Sequence, residues 1–131
     1  MALGSNLGDR AAHLRAGREA LRALPGARLL AASAIEETAP LGGMDQPPYL
    51  NQMVLLESDL EPQALLQACQ AIERREGRQR TERWGARTLD LDIVRFGKRQ
   101  VKESDLIIPH PELPNRDFWR RELAELNPDE R

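Results

Sequence analysis

Thr88-Leu-Asp-Leu-Asp-Ile-Val-Arg-Phe96 is the stretch on which the fold turns. Leu89, Leu91 and Ile93 alternate with Asp90, Asp92 and Val94, the two-residue period of a strand with one face in a core. Aspartate is depleted in strands, so two in one short strand need a reason. Residues two apart share a face, with Cα atoms roughly 6.5 Å apart. Both carboxylates therefore project from one rigid element, opposite the leucines. Hard oxygen ligands so placed suit Mg²⁺, which is commonly held by one or two carboxylates together with nucleotide phosphates. A strand that merely turns a polar face to water would carry the same pattern.

The residues leading into this strand are rich in arginine. All but Lys98 and Lys102 of the 19 basic residues are arginine, and six arginines fall between Arg74 and Arg87. Arg78, Arg80, Arg83 and Arg87 run directly into the Asp90–Asp92 strand. The guanidinium is a planar fork of donors that matches phosphate oxygens. Metal-holding carboxylates beside phosphate-holding arginines is the layout phosphoryl transfer demands, because charge must be neutralised on several oxygens. No G-x-x-x-x-G-K-[ST] run occurs, which excludes a P-loop enzyme. Gln79 to Ala86 reads as a mobile polar loop. Trp84 inside it is either an anchor packed on the body or a lid over a ligand. A solvated arginine surface stays open as a reading, as does a module that binds nucleotide or RNA without chemistry. The paired carboxylates argue against RNA, since without a metal they repel its phosphates.

Upstream, Met1 to Leu3 reads as the end of a strand, and Ser5 or Asn6 as a helix cap. Leu7, Leu14 and Leu21 at seven-residue spacing predict an amphipathic helix over Gly8 to Leu24, ended by Pro25-Gly26. Leu29 to Thr38 predicts one strand. Ala39 to Tyr49, with three prolines and two glycines, predicts a long loop, a place where function concentrates. Leu50 to Leu56 predicts another strand. Pro62 opens a second helix whose apolar stripe is Leu65, Leu66, Cys69 and Ile72, running to about Arg75. After the Asp90–Asp92 strand, Gly97-Lys98 predicts a turn and Val101 to Ile108 one more short strand. Pro109, Pro111 and Pro114 forbid a regular helix there, and Asp117 to Leu126 predicts one. The order β-α-β-β-α-β matches the split βαβ, ferredoxin-like arrangement, an α+β fold. It places an antiparallel sheet under helices on one face and leaves the other face open to a ligand.

With 131 residues and 40% apolar content, the chain predicts one domain with a single core. One cysteine excludes an internal disulfide. No apolar run approaches the roughly 20 residues of a bilayer span, and nothing resembles a leader peptide. These features fit a cytoplasmic protein. A net charge of −2 gives no general attraction for nucleic acid or an acidic membrane. Tyr49 and Phe118 each border a proline-broken segment where a flat substrate could stack, although for either alone core packing serves as well. His110, between two prolines, could donate to a phosphate or cap a loop. His13 has no evident partner, and Cys69 lies on a core stripe.

Several segments together resemble the 6-hydroxymethyl-7,8-dihydropterin pyrophosphokinase family of folate biosynthesis. They are Ala2-Leu-Gly-Ser-Asn-Leu-Gly8, Thr38-Ala-Pro-Leu-Gly42, Asp45-Gln-Pro-Pro-Tyr-Leu-Asn51, Gln70 with Ile72-Glu73, Gly77-Arg-Gln-Arg80, Arg83-Trp-Gly-Ala-Arg-Thr-Leu-Asp-Leu-Asp-Ile93, Ile108-Pro-His-Pro111 and Arg116-Asp-Phe118. They run in the family's order from Ala2 to about Pro128. The resemblance implies the ferredoxin-like fold and transfer of the β,γ-diphosphate of ATP to a pterin hydroxymethyl group, releasing AMP. It implies two Mg²⁺ ions on Asp90 and Asp92, and Tyr49 and Phe118 on either side of the pterin ring. Thr38, Pro40, Leu41 and Asn51 would then meet its polar edge. Gln70, Glu73, Arg80, Arg83, Ile93, His110 and Arg116 fall at ATP-contacting positions. Arg78 and Arg87 match arginines that engage the phosphates during catalysis, and Trp84 matches a residue that seals the site. The implied partners are small molecules, and the implied assembly is a monomer.

Departures accompany the match, among them an end soon after Pro128 where many members carry a further segment. Family members carry further apolar residues before Ala2, so either the sheet edge is short or the start site is misassigned. Trp119-Arg-Arg-Glu-Leu123 replaces a more apolar pattern that includes a proline, which alters the packing beside Phe118. Ile107 stands where some members place a hydroxyl near ATP. No side chain in the motif is an obvious general base. Attack of a primary alcohol on phosphorus needs in-line positioning and charge neutralisation more than a strong base.

Overall fold

The computed structural model describes residues 1–39, 48–77 and 88–126. The elements are β1 (Ala2–Ser5), α1 (Arg10–Arg22), β2 (Arg28–Ala32), β3 (Glu36–Thr38), β4 (Tyr49–Glu57), α2 (Pro62–Arg75), β5 (Asp90–Asp92), β6 (Val101–Glu103), β7 (Leu106–Ile108) and α3 (Asp117–Leu126). β4 pairs antiparallel with β1, β2 and β3, and β1 pairs antiparallel with β5. The strand order β2-β4-β1-β5, with β3 also on β4, is the predicted ferredoxin-like α+β arrangement. Among the described residues no helix is long and apolar enough to cross a membrane.

One face of the sheet carries α1 and α2. Leu3 from β1, Val54 from β4 and Leu91 from β5 meet Leu14 and Leu21 of α1 and Leu65, Cys69 and Ile72 of α2. Burying each such side chain contributes roughly 1.5–3 kcal/mol. Gly17 lets α1 lie close to the sheet, since a Cβ there would come within 3.2 Å of both Leu3 and Leu89 side chains. Burial pushes the Cys69 thiol up to about 12, and the neighbouring Glu73 adds to this, so the thiol is an inert core group as expected.

The expectation that the helices share one face holds for α1 and α2 only. α3 packs on the opposite face against β4. Its Trp119 joins Ala2, Met53, Val94 and Leu113, with Phe118, Leu123 and Leu126 packed around them. An amphipathic helix must bury its apolar stripe, and Ala2 and Met53 supply the surface that accepts it.

Several local expectations change. The first helix starts at Arg10, because Asp9 caps it through Oδ1, which accepts the Ala12 amide at 3.1 Å. Ser5 instead ends β1, Asn6 is buried, and Leu7 is exposed rather than on the helix stripe. The strand expected over Leu29–Thr38 is broken into β2 and β3. Ser33 interrupts it by using its hydroxyl, in place of a main-chain carbonyl, to accept the Met53 amide at 2.9 Å. The strand expected over Thr88–Phe96 pairs only at Asp90–Asp92, and the Val94 carbonyl turns to the His110 amide at 2.9 Å. Val101–Ile108 is a hairpin, not one strand, with a two-residue turn at Ser104-Asp105 between β6 and β7. His13 has a partner after all, with Nδ1 3.0 Å from Glu76 Oε1. Pro40, Leu41 and the arginine-rich loop from Gln79 to Ala86 lie outside the described residues.

Candidate active site

Register assembles the site. Residues directly opposite in an antiparallel ladder share a face. Gly4 stands between Asn51 on β4 and Asp90 on β5, and Ala2 between Met53 and Asp92. On the far side of β4, Thr38 is opposite Tyr49 and Glu36 is opposite Asn51. Thr38, Tyr49, Asn51, Asp90 and Asp92 therefore share the sheet face on which α3 lies. Two strand spacings separate Asn51 from Asp90, roughly 10 Å across Gly4.

Gly4, contained in the sequence motif without explanation, lies on the floor between these two groups. A Cβ there would sit 3.4 Å from Asn51 Oδ1 and 3.5 Å from a Tyr49 ring carbon. Anything larger would fill the floor between the two halves of the site. Asn51 itself is buried, and its Nδ2 donates to Thr38 Oγ1 at 2.6 Å. That bond fixes which end of the amide faces the site: Oδ1 points toward Gly4.

The carboxylates occupy the other half. Asp90 and Asp92 are half-buried on either side of the buried Leu91, as the alternation predicted. Beside Asp92 lies a cavity of about 260 Å³ whose lining includes Leu66, Asp92, Ser104, Asp105, Ile107 and His110. Ile107, exposed on β7, gives this cavity an apolar wall where a hydroxyl was the alternative.

His110 is fixed on three sides. Its amide bonds Val94, its Nδ1 accepts the Glu112 amide at 3.0 Å, and its ring stands edge-on to Trp119 at 4.9 Å between centroids. With Nδ1 accepting, the ring proton sits on Nε2, which faces Asp92 Oδ1 at 3.8 Å. Burial lowers the His110 pKa, and Arg116 lowers it further against the opposing pull of Glu112. A neutral imidazole with an Nε2 donor is the result. Arg116 lies 4.3 Å over the Trp119 ring, a cation–π contact. Trp119 thus supports both His110 and Arg116, and it also meets Phe118 edge-on at 6.2 Å. The sequence signalled a departure at this residue without revealing its role.

The remaining expected residues divide as follows. Glu73 is buried on α2, and its Oε2 accepts the Leu91 amide at 2.8 Å. Gln70, one turn earlier on α2, is exposed. Pro40, Leu41, Arg78, Arg80, Arg83, Trp84 and Arg87 lie outside the described residues.

α3 is tied to β3 by charge. Arg121 Nη2 donates to Glu36 Oε1 at 2.7 Å, and the Ala34 amide donates to the Glu125 carboxylate at 3.2 Å. Between them Glu122 is buried, with its carboxyl beside that of Glu36. Burial, and then a hydrogen bond to the Glu36 carboxyl and its like charge, push the Glu122 pKa up to about 8.

Comparison with known proteins bears on the family. The model of the 7,8-dihydro-6-hydroxymethylpterin-pyrophosphokinase family matches residues 1–128. A Pseudomonas aeruginosa protein named 2-amino-4-hydroxy-6-hydroxymethyldihydropteridine pyrophosphokinase is 44% identical over 129 residues, covering 98% of this chain and 80% of its own. Proteins of the same name are 42% identical in Methylorubrum extorquens, over 98% of this chain and 82% of the relative, and 41% identical in Bacillus subtilis, over 96% and 75%. With nearly its whole length matched, the chain belongs to the 7,8-dihydro-6-hydroxymethylpterin-pyrophosphokinase family.

Proposed function

We propose that this chain transfers the β,γ-diphosphate of ATP to the hydroxymethyl group of 6-hydroxymethyl-7,8-dihydropterin, giving the pterin diphosphate and AMP. The observation that carries the reading is the shared face. Asp90 and Asp92 stand on one side of Gly4, and Asn51, Thr38 and Tyr49 on the other, within the reach of one pterin and one triphosphate.

The donor chemistry fits Mg²⁺. Asp90 and Asp92 offer hard oxygens from a strand fixed on its core side, and Mg²⁺ takes such ligands together with phosphate oxygens. Two ions held there would supply neutralisation of the charge that develops on the phosphate oxygens. Asn51 Oδ1 would accept from the pterin's polar edge beside Thr38. Tyr49 and Phe118 would stack on its ring. His110 would donate from Nε2 to a phosphate oxygen, and the Arg116 guanidinium would pair with another. Ile93 and Ile107 would pack on the nucleotide within the cavity beside Asp92. By the family resemblance Pro40 and Leu41 would contact the pterin, and Gln70, Arg78, Arg80, Arg83, Trp84 and Arg87 would contact ATP. Together these groups would hold alcohol and phosphorus in line and exclude water, which is the catalytic need for this chemistry.

We take the chain as a monomeric single domain acting on small molecules. Its substrates, ATP and a reduced pterin, are cytoplasmic metabolites, and the proposed location follows them. The test is a product assay with Mg²⁺, ATP and 6-hydroxymethyl-7,8-dihydropterin, with nucleotides separated afterwards. Pterin-dependent AMP with matching pterin diphosphate is expected. ADP would mean transfer of a single phosphoryl group. No turnover by folded protein would favour a nucleotide-binding module.

A further inference from the structure

We infer that Glu73 is a positioning residue, which holds the backbone between Asp90 and Asp92 so that the two carboxylates stay at a fixed spacing and orientation. The inference rests on the metal role proposed for those aspartates.

β5 is only three residues long, and among the described residues its one strand neighbour is β1. Leu91 lies opposite Leu3 in that pair. Its amide is bonded not to β1 but to Glu73 Oε2, at 2.8 Å. Amides alternate in direction along a strand, so the Leu91 N–H points away from β1, toward the open edge. A buried amide needs an acceptor there, and a further strand would ordinarily provide it. Here α2 provides it with a carboxylate, and hydrogen bonds to a charged acceptor are the stronger kind. Glu73 is 5% exposed and Leu91 is likewise 5% exposed, so water cannot substitute for the bond.

The consequence falls on the neighbours of Leu91. Asp90 and Asp92 are like charges on one face of a short strand, and before any cation binds they repel each other. β1 holds the strand on one side and Glu73 on the other. With both edges held, the carboxylates cannot spread by twisting the backbone. Glu73 thus acts through Leu91, whether or not any part of it also meets the nucleotide.

Two variants separate this role from others. Glu73→Met keeps the length and removes the acceptor. Glu73→Gln removes the charge and keeps an oxygen that can accept the same bond. Three quantities are read. The first is hydrogen exchange of the Leu91 amide by NMR in protein free of metal and nucleotide. The second is exchange of the other sheet amides. The third is Mn²⁺ affinity with a non-hydrolysable ATP analogue, from the electron paramagnetic resonance of free Mn²⁺. Glu73→Met should speed Leu91 exchange at least a hundredfold, leave the β1 and β4 amides within about threefold, and weaken Mn²⁺ at least tenfold. Glu73→Gln should stay within about tenfold of the parent at Leu91 and within threefold for Mn²⁺. Unchanged Leu91 exchange in Glu73→Met overturns the inference. So does faster exchange across the whole sheet, or a Gln variant as impaired in Mn²⁺ binding as Met. A parent protein that binds no Mn²⁺ with the analogue would instead overturn the metal role of the aspartates, while the Leu91 exchange would still report on the bond itself.

Discussion

His110 Nε2 faces Asp92 Oδ1 at 3.8 Å, beyond hydrogen-bond range, while Nδ1 is engaged by the Glu112 amide. The ring is therefore oriented from behind, and its one proton is aimed at the mouth of the cavity beside Asp92. Trp119, edge-on behind it, sets the angle. A side chain whose position is fixed by others, with its donor directed at a carboxylate-lined cleft, is suited to hold an anionic ligand there.

Replacing His110 by Phe keeps a ring against Trp119 and removes the donor. The KM for ATP should rise about tenfold, the worth of one hydrogen bond to a charged group. The melting temperature should move by no more than a few degrees. Steady-state kinetics and a thermal melt check both, and a large fall in melting temperature with unchanged KM would make His110 a packing residue.

Asp92→Ala should abolish transfer, by about a thousandfold or more, with the fold retained. The side chain is 39% exposed and belongs to the face opposite the leucines, so little packing is lost. Near-normal turnover by this variant would show that the metal assignment is wrong.

Thr38→Val leaves the buried Asn51 amide without the oxygen it donates to at 2.6 Å. Asn51 should then turn, and the pterin KM should rise several-fold while the ATP KM stays put. Stability should fall by about 1 kcal/mol. Equal changes in both KM values would place the effect in the sheet as a whole.

Glu122 makes stability depend on pH. Its folded pKa is raised to about 8 from an ordinary 4.5, with Glu36, Glu125 and Arg121 the charged groups around it. Between those values the folded state holds a proton the unfolded chain has released. Stability from this group is thus fully present below about pH 4.5 and is lost as pH rises through about 8. The amount is on the order of a few kcal/mol. Glu122→Gln cannot ionise, so its melting temperature should exceed the parent's at pH 8.5 and approach it at pH 5. Parallel curves for the two proteins across that range would mean that Glu122 ionises normally.

The sequence by itself determined what depends on near neighbours. Leu89, Leu91 and Ile93 alternate with two aspartates, so one short strand had to bury the first set and present the second. Pro62 and the Leu65, Cys69, Ile72 stripe likewise fixed α2, because a helix and its apolar face are read from residues three and four apart. Only the tertiary structure decided what depends on distant partners. Ser33 broke a predicted strand because its hydroxyl met Met53, 20 residues away. α3 crossed to the other face because Ala2 and Met53 offered it a surface. Gly4 became the floor between Asn51 and Asp90 only once register put it there. The Glu73–Leu91 bond spans 18 residues and the Glu125–Ala34 bond 91. Periodicity is written along the chain, whereas register and side-chain pairing are selected by the free energy of the whole packed domain, and no local pattern encodes which partner wins.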